Sequence, residues 1–127
     1  MNIEHIALYV KDLEKSRNFY IKYFKAVCGE KYHNPKTGFQ SYFLTFDGGT
    51  RLELMSIDNL PQCKNDTPRL GYMHIAFCAG SRSAVDDLTQ RLEKDGFKVI
   101  SQPRTTGDGY YESCVLDYDD NMIEITV

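Results

Sequence analysis

The sequence predicts an α+β fold in which two βαβββ modules form a curled mixed sheet with the helices on the outside. The main observation is a repeat, because residues 5–8 read His-Ile-Ala-Leu and residues 74–77 read His-Ile-Ala-Phe. Residues 52–54 likewise read Leu-Glu-Leu, and residues 123–125 read Ile-Glu-Ile. A length of 127 residues suits one domain. We therefore expect a single domain over 1–127, with module 1 at about 1–57, a linker at 58–70 and module 2 at about 71–127.

Hydrophobic periodicity predicts the elements of module 1. Residues 2–10 alternate in polarity, as a strand does. A helix should follow, with Asp12 as its N-cap and an apolar stripe from Leu13 to Phe24. The remaining predicted elements are strands at 26–32, 39–46 and 50–57, the last two joined by a tight hairpin turn at 47–49.

Module 2 repeats this order after the linker, which is rich in turn-forming residues. A strand at 71–78 precedes a helix that Ser81 or Ser83 caps. Gly96 is expected to end that helix in a left-handed conformation. The remaining predicted elements are strands at 97–101, 110–116 and 122–127, the last two joined by a turn at 117–121.

The composition is that of an ordinary soluble globular protein, with 42% hydrophobic and 26% charged residues. A net charge of −3 without a basic cluster argues against a nucleic-acid partner. No apolar stretch approaches the roughly 20 residues of a membrane helix, and the N-terminus lacks the pattern of a signal peptide. We expect a cytoplasmic protein with a small-molecule partner. Its four cysteines form no C-x-x-C pair and are expected to be buried free thiols.

Four residues at equivalent places in the repeat predict a metal site: His5, Glu53, His74 and Glu124. Strand alternation places each of them on the face opposite its apolar neighbours. A carboxylate within an apolar strand is costly to bury unless it is paired or bound to a cation. Two imidazoles and two carboxylates suit Zn²⁺ or Ni²⁺, with Fe²⁺, Mn²⁺ or Co²⁺ also compatible.

The alternative to a metal site is a purely structural role for these residues. One histidine on a strand is more often a hydrogen-bonded core residue, and one glutamate on a strand more often faces solvent. Four such residues in matching places favour the metal. Glu4 is left out of the set, because alternation puts it on the face opposite His5. Tyr9 and Tyr72 fall on the ligand-bearing faces, where their hydroxyls could bind a substrate oxygen or the rings could simply pack.

Residues 5–20, 51–54, 72–77 and 116–125 resemble the vicinal oxygen chelate superfamily, which contains glyoxalase I. The turn at 117–121 is similar to the Asp-Pro-Asp-Gly-Asn turn of that family, with Tyr118 and Asp120 replacing the proline and glycine. The resemblance implies paired βαβββ modules whose sheets curl into a cleft around one divalent ion. In such proteins the ion chelates two adjacent oxygens of the substrate and stabilises a developing enolate charge.

The resemblance also implies roles for the repeated residues. The set His5, Glu53, His74 and Glu124 resembles the ligands of glyoxalase I, and members that cleave rings with oxygen or add thiols to antibiotic epoxides use one carboxylate fewer. Many bacterial glyoxalase I sequences carry a glutathione-binding arginine four residues after the first histidine. Here that position is Tyr9, and Arg51 is the alternative cation, so the thiol carrier stays open.

The sequence therefore predicts a metal-dependent lyase or isomerase for a small α-oxygenated carbonyl compound, with methylglyoxal hemithioacetal as one option. Glu124 or Glu53 would carry the proton, and Tyr9, Arg51 and Tyr72 would bind the substrate. One alternative is a metal-free module of the same fold that binds an antibiotic. Others are an acyl-coenzyme A epimerase and a dioxygenase. A homodimer is expected, as in glyoxalase I, with the site inside one chain or shared between two.

Overall fold

The computed structural model describes residues 2–61 and 70–127. The chain divides into two compact units, Met1–Gln62 and Cys63–Val127. Each unit consists of one mixed sheet and one helix, so the predicted α+β class is confirmed. Most of the predicted linker, residues 62–69, lies outside the described residues.

The elements of unit 1 are β1 (His5–Tyr9), α1 (Leu13–Phe24), β2 (Val27–Cys28), β3 (Tyr32–His33), β4 (Gln40–Thr45) and β5 (Arg51–Ser56). Those of unit 2 are β6 (His74–Cys78), α2 (Arg82–Lys94), β7 (Val99–Thr105), β8 (Tyr111–Leu116) and β9 (Met122–Thr126).

The two sheets share one topology. Their strand orders are β1-β5-β4-β2, with β3 also paired to β4, and β6-β9-β8-β7. In each sheet the first strand of the module runs parallel to the last, and the other pairings are antiparallel. The strand that carries the histidine is therefore the direct neighbour of the strand that carries the glutamate.

The single strand predicted at 26–32 is instead two short strands, β2 and β3. Both pair with β4, but in different registers: Cys28 lies opposite Leu44, whereas Tyr32 lies opposite Ser41. The backbone N–H of Gly29 continues the ladder by donating to the carbonyl of Phe43 at 3.0 Å. An irregularity after Gly29 thus interrupts one long strand, and module 1 becomes βαββββ.

The predicted N-caps are present. The Asp12 carboxylate accepts a hydrogen bond from the backbone N–H of Lys15 at 2.9 Å, which satisfies one donor of the first turn of α1. The N-cap of α2 is Ser81 rather than Ser83, and the Ser81 hydroxyl accepts a hydrogen bond from the N–H of Ala84 at 3.2 Å.

Gly96 ends α2 as predicted, with φ of 91°. Its N–H donates to the carbonyl of Glu93 at 3.1 Å, and the N–H of Phe97 donates to that of Leu92 at 3.0 Å. This pair of bonds is the Schellman motif, which requires a left-handed residue at the position of the glycine.

In each unit the core lies between the helix and one face of the sheet. Its members alternate along the strands, as expected for a half-buried sheet. The buried residues include Phe19, Tyr20, Leu44, Leu52 and Leu54 in unit 1, and Val85, Leu92, Val115, Ile123 and Ile125 in unit 2.

A buried polar pair in unit 2 was not predicted. Thr89 of α2 is buried, whereas its apolar neighbour Leu88 is half-buried. The Thr89 hydroxyl lies 2.7 Å from the carbonyl of Val85 and 2.6 Å from the hydroxyl of Ser113 on β8. Because both hydroxyls have partners, their burial carries little penalty.

The turn before β9 is organised by Asp117. Its carboxylate accepts hydrogen bonds from the backbone N–H groups of Asp119 and Asn121, both at 2.9 Å, and from the Asn121 amide. Burial raises the pKa of Asp117, although the bonds from Asn121 act in the opposite direction. Asp120 has φ of 61°, which aspartate tolerates better than most residues. The turn thereby sets the start of the strand that carries Glu124.

In residues 2–61 and 70–127, no helix is both long and apolar enough to cross a membrane.

The packing of β5 makes a direct prediction for stability. Leu54 is fully buried in unit 1, so Leu54→Ala should lower the free energy of unfolding by about 2–5 kcal/mol through lost transfer energy and a residual cavity. The matched control is Leu60→Ala, because Leu60 is 42% exposed and surface changes usually stay within about 0.5 kcal/mol. Urea denaturation measures both, and equal losses would contradict this description of the core.

Candidate metal centre

In each unit the repeated histidine and glutamate lie on adjacent strands, on the same face of the sheet. The parallel pairing of β1 with β5 places Ala7 beside Glu53. The pairing of β6 with β9 places Ala76 beside Glu124 in the same way. Because each histidine precedes its alanine by two residues, it shares the face of the glutamate. The repeat seen in the sequence is therefore also a repeat of structure.

These faces point away from the helices. Leu52 and Leu54 on either side of Glu53 are buried, as are Ile123 and Ile125 beside Glu124. Both glutamates are half-buried, and both histidines are exposed. Strand alternation thus leaves the imidazoles and carboxylates accessible to a ligand while their neighbours form the core.

Unit 2 brings its histidine and glutamate into contact. Nε2 of His74 lies 3.4 Å from Oε2 of Glu124, and the two side chains are 42% and 21% exposed. Two donor atoms that each bind one Zn²⁺ ion at about 2.1 Å lie about 3.0–3.4 Å apart. The spacing and chemistry of this pair therefore fit two neighbouring ligands of a divalent ion.

Unit 1 has a different arrangement around its histidine. Nδ1 of His5 is hydrogen-bonded to one carboxylate oxygen of Glu4, and the Arg51 guanidinium contacts the other oxygen. Alternation was expected to put the Glu4 side chain on the face opposite His5, but β1 begins at His5 and the carboxylate instead reaches the His5 ring. The bond from His5 and the adjacent Arg51 hold the pKa of Glu4 below its usual range.

Phe43 forms a common surface for these groups. It lies opposite Glu53 in the pairing of β4 with β5. The His5 ring meets it edge to face with centroids 5.4 Å apart, and Cζ of Arg51 lies 4.2 Å from its centroid. The position of Phe43 across from the glutamate could have been found only from the strand register.

The corresponding face in unit 2 carries a thiol and a second carboxylate. Cys114 lies opposite Glu124 in the pairing of β8 with β9, and Glu112 is two residues away on the same face. Burial raises the pKa of the Cys114 thiol to about 11, with the charges of Glu124 and Glu112 adding to the effect. Burial also raises the pKa of Glu112, and the charge of Glu124 acts in the same direction.

Within the described ranges, 2–61 and 70–127, no group of three or more histidine, cysteine, aspartate or glutamate side chains is close enough to hold a metal ion. Among the proposed ligands in these ranges, His74 and Glu124 are brought into contact, whereas His5 and Glu53 share a face of the sheet.

A protein-family model, the Glyoxalase/Bleomycin resistance protein/Dioxygenase superfamily, matches residues 2–125. The chain belongs to this superfamily. The predicted resemblance is thereby confirmed at the level of the superfamily, which includes proteins of several activities.

The proteins that this chain is similar to include an uncharacterized protein, a glyoxalase I and a fosfomycin resistance protein. The uncharacterized protein YqjT of Bacillus subtilis is 28% identical, and the match covers 97% of this chain and 96% of the relative. Glyoxalase I from Zea mays superposes with a TM-score of 0.81 at 21% identity, covering 98% of this chain and 43% of the maize chain. The fosfomycin resistance protein FosX of Listeria monocytogenes gives a TM-score of 0.73 at 22% identity, covering 99% and 90%.

The three predicted substrate-binding residues occupy different places in this superfamily fold. Tyr9 ends β1 on the face of His5 and is exposed, and Arg51 begins β5 on the face of Glu53. Tyr72 lies before β6, which starts at His74 rather than at residue 71, and its side chain is 93% exposed. Gly71, with φ of 113°, precedes it and takes the backbone out of the extended conformation of a strand.

The environment of Cys114 predicts that its thiol reacts slowly with alkylating agents at neutral pH. In metal-free protein, alkylation of Cys114 by iodoacetamide should keep accelerating up to a pH of about 11, because only the thiolate reacts. Glu112→Gln removes a negative charge, which lowers the pKa of Cys114 and speeds alkylation at any fixed pH below that value.

Peptide mass spectrometry resolves the individual cysteines. Cys28 is the internal control: burial raises its pKa as well, but its charged neighbours are Arg17 and Glu14. Its rate should not respond to Glu112→Gln. A Cys114 rate that levels off near neutral pH would contradict the assigned environment.

Proposed function

We propose that this protein is a divalent-metal-dependent lyase or isomerase of the glyoxalase type, acting on a small α-oxygenated carbonyl compound. The observation that carries the proposal is the His74–Glu124 pair, whose 3.4 Å spacing suits two ligands of one ion. On β1 and β5 the same strand register recurs, with His5 and Glu53 on one face of the sheet. Membership of a superfamily that contains metal-dependent enzymes supports the assignment.

The proposed ligands are His5, Glu53, His74 and Glu124. Zn²⁺ or Ni²⁺ suits this mixture of nitrogen and carboxylate donors best, and Fe²⁺, Mn²⁺ or Co²⁺ also fits. The protein is proposed to form a homodimer, with these ligands supplied by one chain or shared between two. The cytoplasmic location predicted from the sequence stays a prediction.

The proposed chemistry is proton transfer between neighbouring carbons. A divalent ion held by His5, Glu53, His74 and Glu124 would supply a Lewis acid, which would acidify a C–H bond beside a carbonyl and stabilise the developing negative charge. Glu124 or Glu53 then takes the proton and returns it to the adjacent carbon. A general base within hydrogen-bond reach typically contributes roughly 10²–10⁴-fold to the rate.

The surroundings of Arg51 bear on the substrate. Its guanidinium contacts the Glu4 carboxylate, so its positive charge is partly compensated. A cation in this state attracts a substrate carboxylate less strongly than a free arginine does. Tyr9, where many bacterial relatives are expected to have an arginine, adds a hydroxyl but no charge. Both features favour a thiol carrier other than glutathione, or a substrate without a carrier.

The main alternative is an antibiotic-directed protein. The likeness to FosX, a fosfomycin resistance protein, is a likeness of fold alone at 22% identity. A second carboxylate in the proposed set, Glu53, argues against the two-histidine, one-carboxylate pattern expected of thiol addition to an epoxide. Metal-free protein that binds an aromatic drug tightly would favour the antibiotic-binding alternative. Oxygen-dependent turnover would favour the dioxygenase alternative, and epimerase activity toward acyl-coenzyme A thioesters would favour the epimerase alternative.

Metal content is the first test. Protein purified without a metal-chelating tag should contain about one divalent ion per site by elemental analysis, and chelator treatment should abolish activity that Zn²⁺ or Ni²⁺ restores. Activity is assayed with methylglyoxal and several thiols, with fosfomycin and a thiol in parallel. Failure to bind any divalent ion, even after reconstitution, would rule out the proposed function.

The glutamates provide the second test. Glu53→Gln and Glu124→Gln should each lower kcat by roughly 10²-fold or more, because an amide can neither carry the proton nor give the ion a carboxylate ligand. Far-ultraviolet circular dichroism should show the fold retained. Glu30→Gln is the matched control, since Glu30 is exposed and follows β2, which lies at the edge of the sheet opposite β1. Full activity in both site variants would exclude the assigned role.

A further inference from the structure

Among residues 2–61 and 70–127, Glu4 supplies the one carboxylate in contact with His5, the proposed ligand histidine of unit 1. One of its oxygens is hydrogen-bonded to Nδ1 of His5, and the other contacts the Arg51 guanidinium. The residue thus connects the first residue of β1 with the first residue of β5, which are register partners in the sheet.

The direction of the His5 bond follows from the chemistry of the two groups. An ionised carboxylate can only accept a hydrogen bond, so Nδ1 of His5 must carry the proton. In neutral His5 this leaves the lone pair on Nε2 as the available metal donor. Histidines that bind metals usually donate their other ring N–H to a carboxylate or carbonyl in this way, which fixes the tautomer and the ring orientation.

The second module lacks both members of this arrangement. The residue before His74 is Met73, where Glu4 precedes His5. The register partner of His74 is Met122, where the partner of His5 is Arg51. The carboxylate and the guanidinium are thus present together in one module and absent together from the other. This joint occurrence indicates that Glu4 and Arg51 act together on His5.

We infer that Glu4 is a positioning residue for metal binding, which holds His5 in its Nδ1–H tautomer while Arg51 holds Glu4. The inference rests on the proposed function, because it gives Glu4 a role toward the ion that His5 would bind. Glu4 is 58% exposed, so its ion pairs contribute little to folding stability. Its effect is expected in metal affinity rather than in the fold.

The test compares Glu4→Ala and Glu4→Gln with Glu30→Ala, which removes a carboxylate from an exposed site elsewhere in unit 1. Affinity for Zn²⁺ alone is measured by competition with a chromophoric chelator. Loss of the carboxylate should weaken binding by roughly 10–100-fold. Glu4→Gln should recover part of the loss, because its amide oxygen still accepts a hydrogen bond, and Glu30→Ala should bind as the unaltered protein does.

The second readout is the tautomer of His5 in metal-free protein, from nitrogen NMR shifts of the imidazole at a pH where it is neutral. His5 should be in the Nδ1–H form in the unaltered protein and should shift toward the Nε2–H form in Glu4→Ala. His74, which follows a methionine, should not change. Thermal unfolding of each variant confirms that the fold is retained.

The outcomes separate the two proposals. Unaltered affinity and an unaltered His5 tautomer in Glu4→Ala would overturn the positioning role while leaving the proposed function intact. Loss of Zn²⁺ as complete as in Glu53→Ala would make Glu4 a ligand, which also overturns it. If the unaltered protein binds neither Zn²⁺ nor Ni²⁺, Fe²⁺, Mn²⁺ or Co²⁺, the proposed function fails. The role of Glu4 toward an ion then fails with it, even where the tautomer shift shows that Glu4 contacts His5.

Discussion

The parallel pairing of the first and last strands of each module is the constraint on which the candidate site depends. It joins β1 to β5 and β6 to β9, although each pair is far apart in the sequence. Because both strands bury their alternate residues against a helix, one register places both the histidine and the glutamate on the opposite face. A shift of one residue would turn Glu53 into the core and Leu54 out of it. Burial of the leucines and isoleucines therefore also fixes the polar face.

The sequence was informative wherever a local rule was enough. Alternation and the repeat predicted the shared faces of the four proposed ligands, and cap chemistry predicted both helix starts and the end at Gly96. Local rules failed where a strand boundary or a long-range register decided the outcome. Tyr72 was assigned to a strand that begins only at His74, and the strand expected through Gly29 is interrupted because its two parts pair with β4 differently.

The environment of each ligand was the least predictable part. Phe43 beside Glu53, and Cys114 beside Glu124, follow from antiparallel registers that no short motif encodes. Glu4 was expected on the face opposite His5 because strand alternation was applied one residue before β1 begins. A comparison of the two modules position by position was available in the sequence, however, and it shows that Glu4 and Arg51 both have methionines in the corresponding places.

The two modules thus keep their proposed ligands alike and differ in what surrounds them. Around His5 and Glu53 lie a guanidinium, a carboxylate and an aromatic ring, whereas around His74 and Glu124 lie a thiol and a second carboxylate. The two glutamates proposed as proton carriers therefore lie in unlike surroundings, with a guanidinium near Glu53 and a second carboxylate near Glu124. Their histidines differ as well, because His74 lies 3.4 Å from Glu124, whereas His5 is hydrogen-bonded to Glu4. The residues that repeat are those proposed to bind the ion, and the residues that differ are those around each histidine.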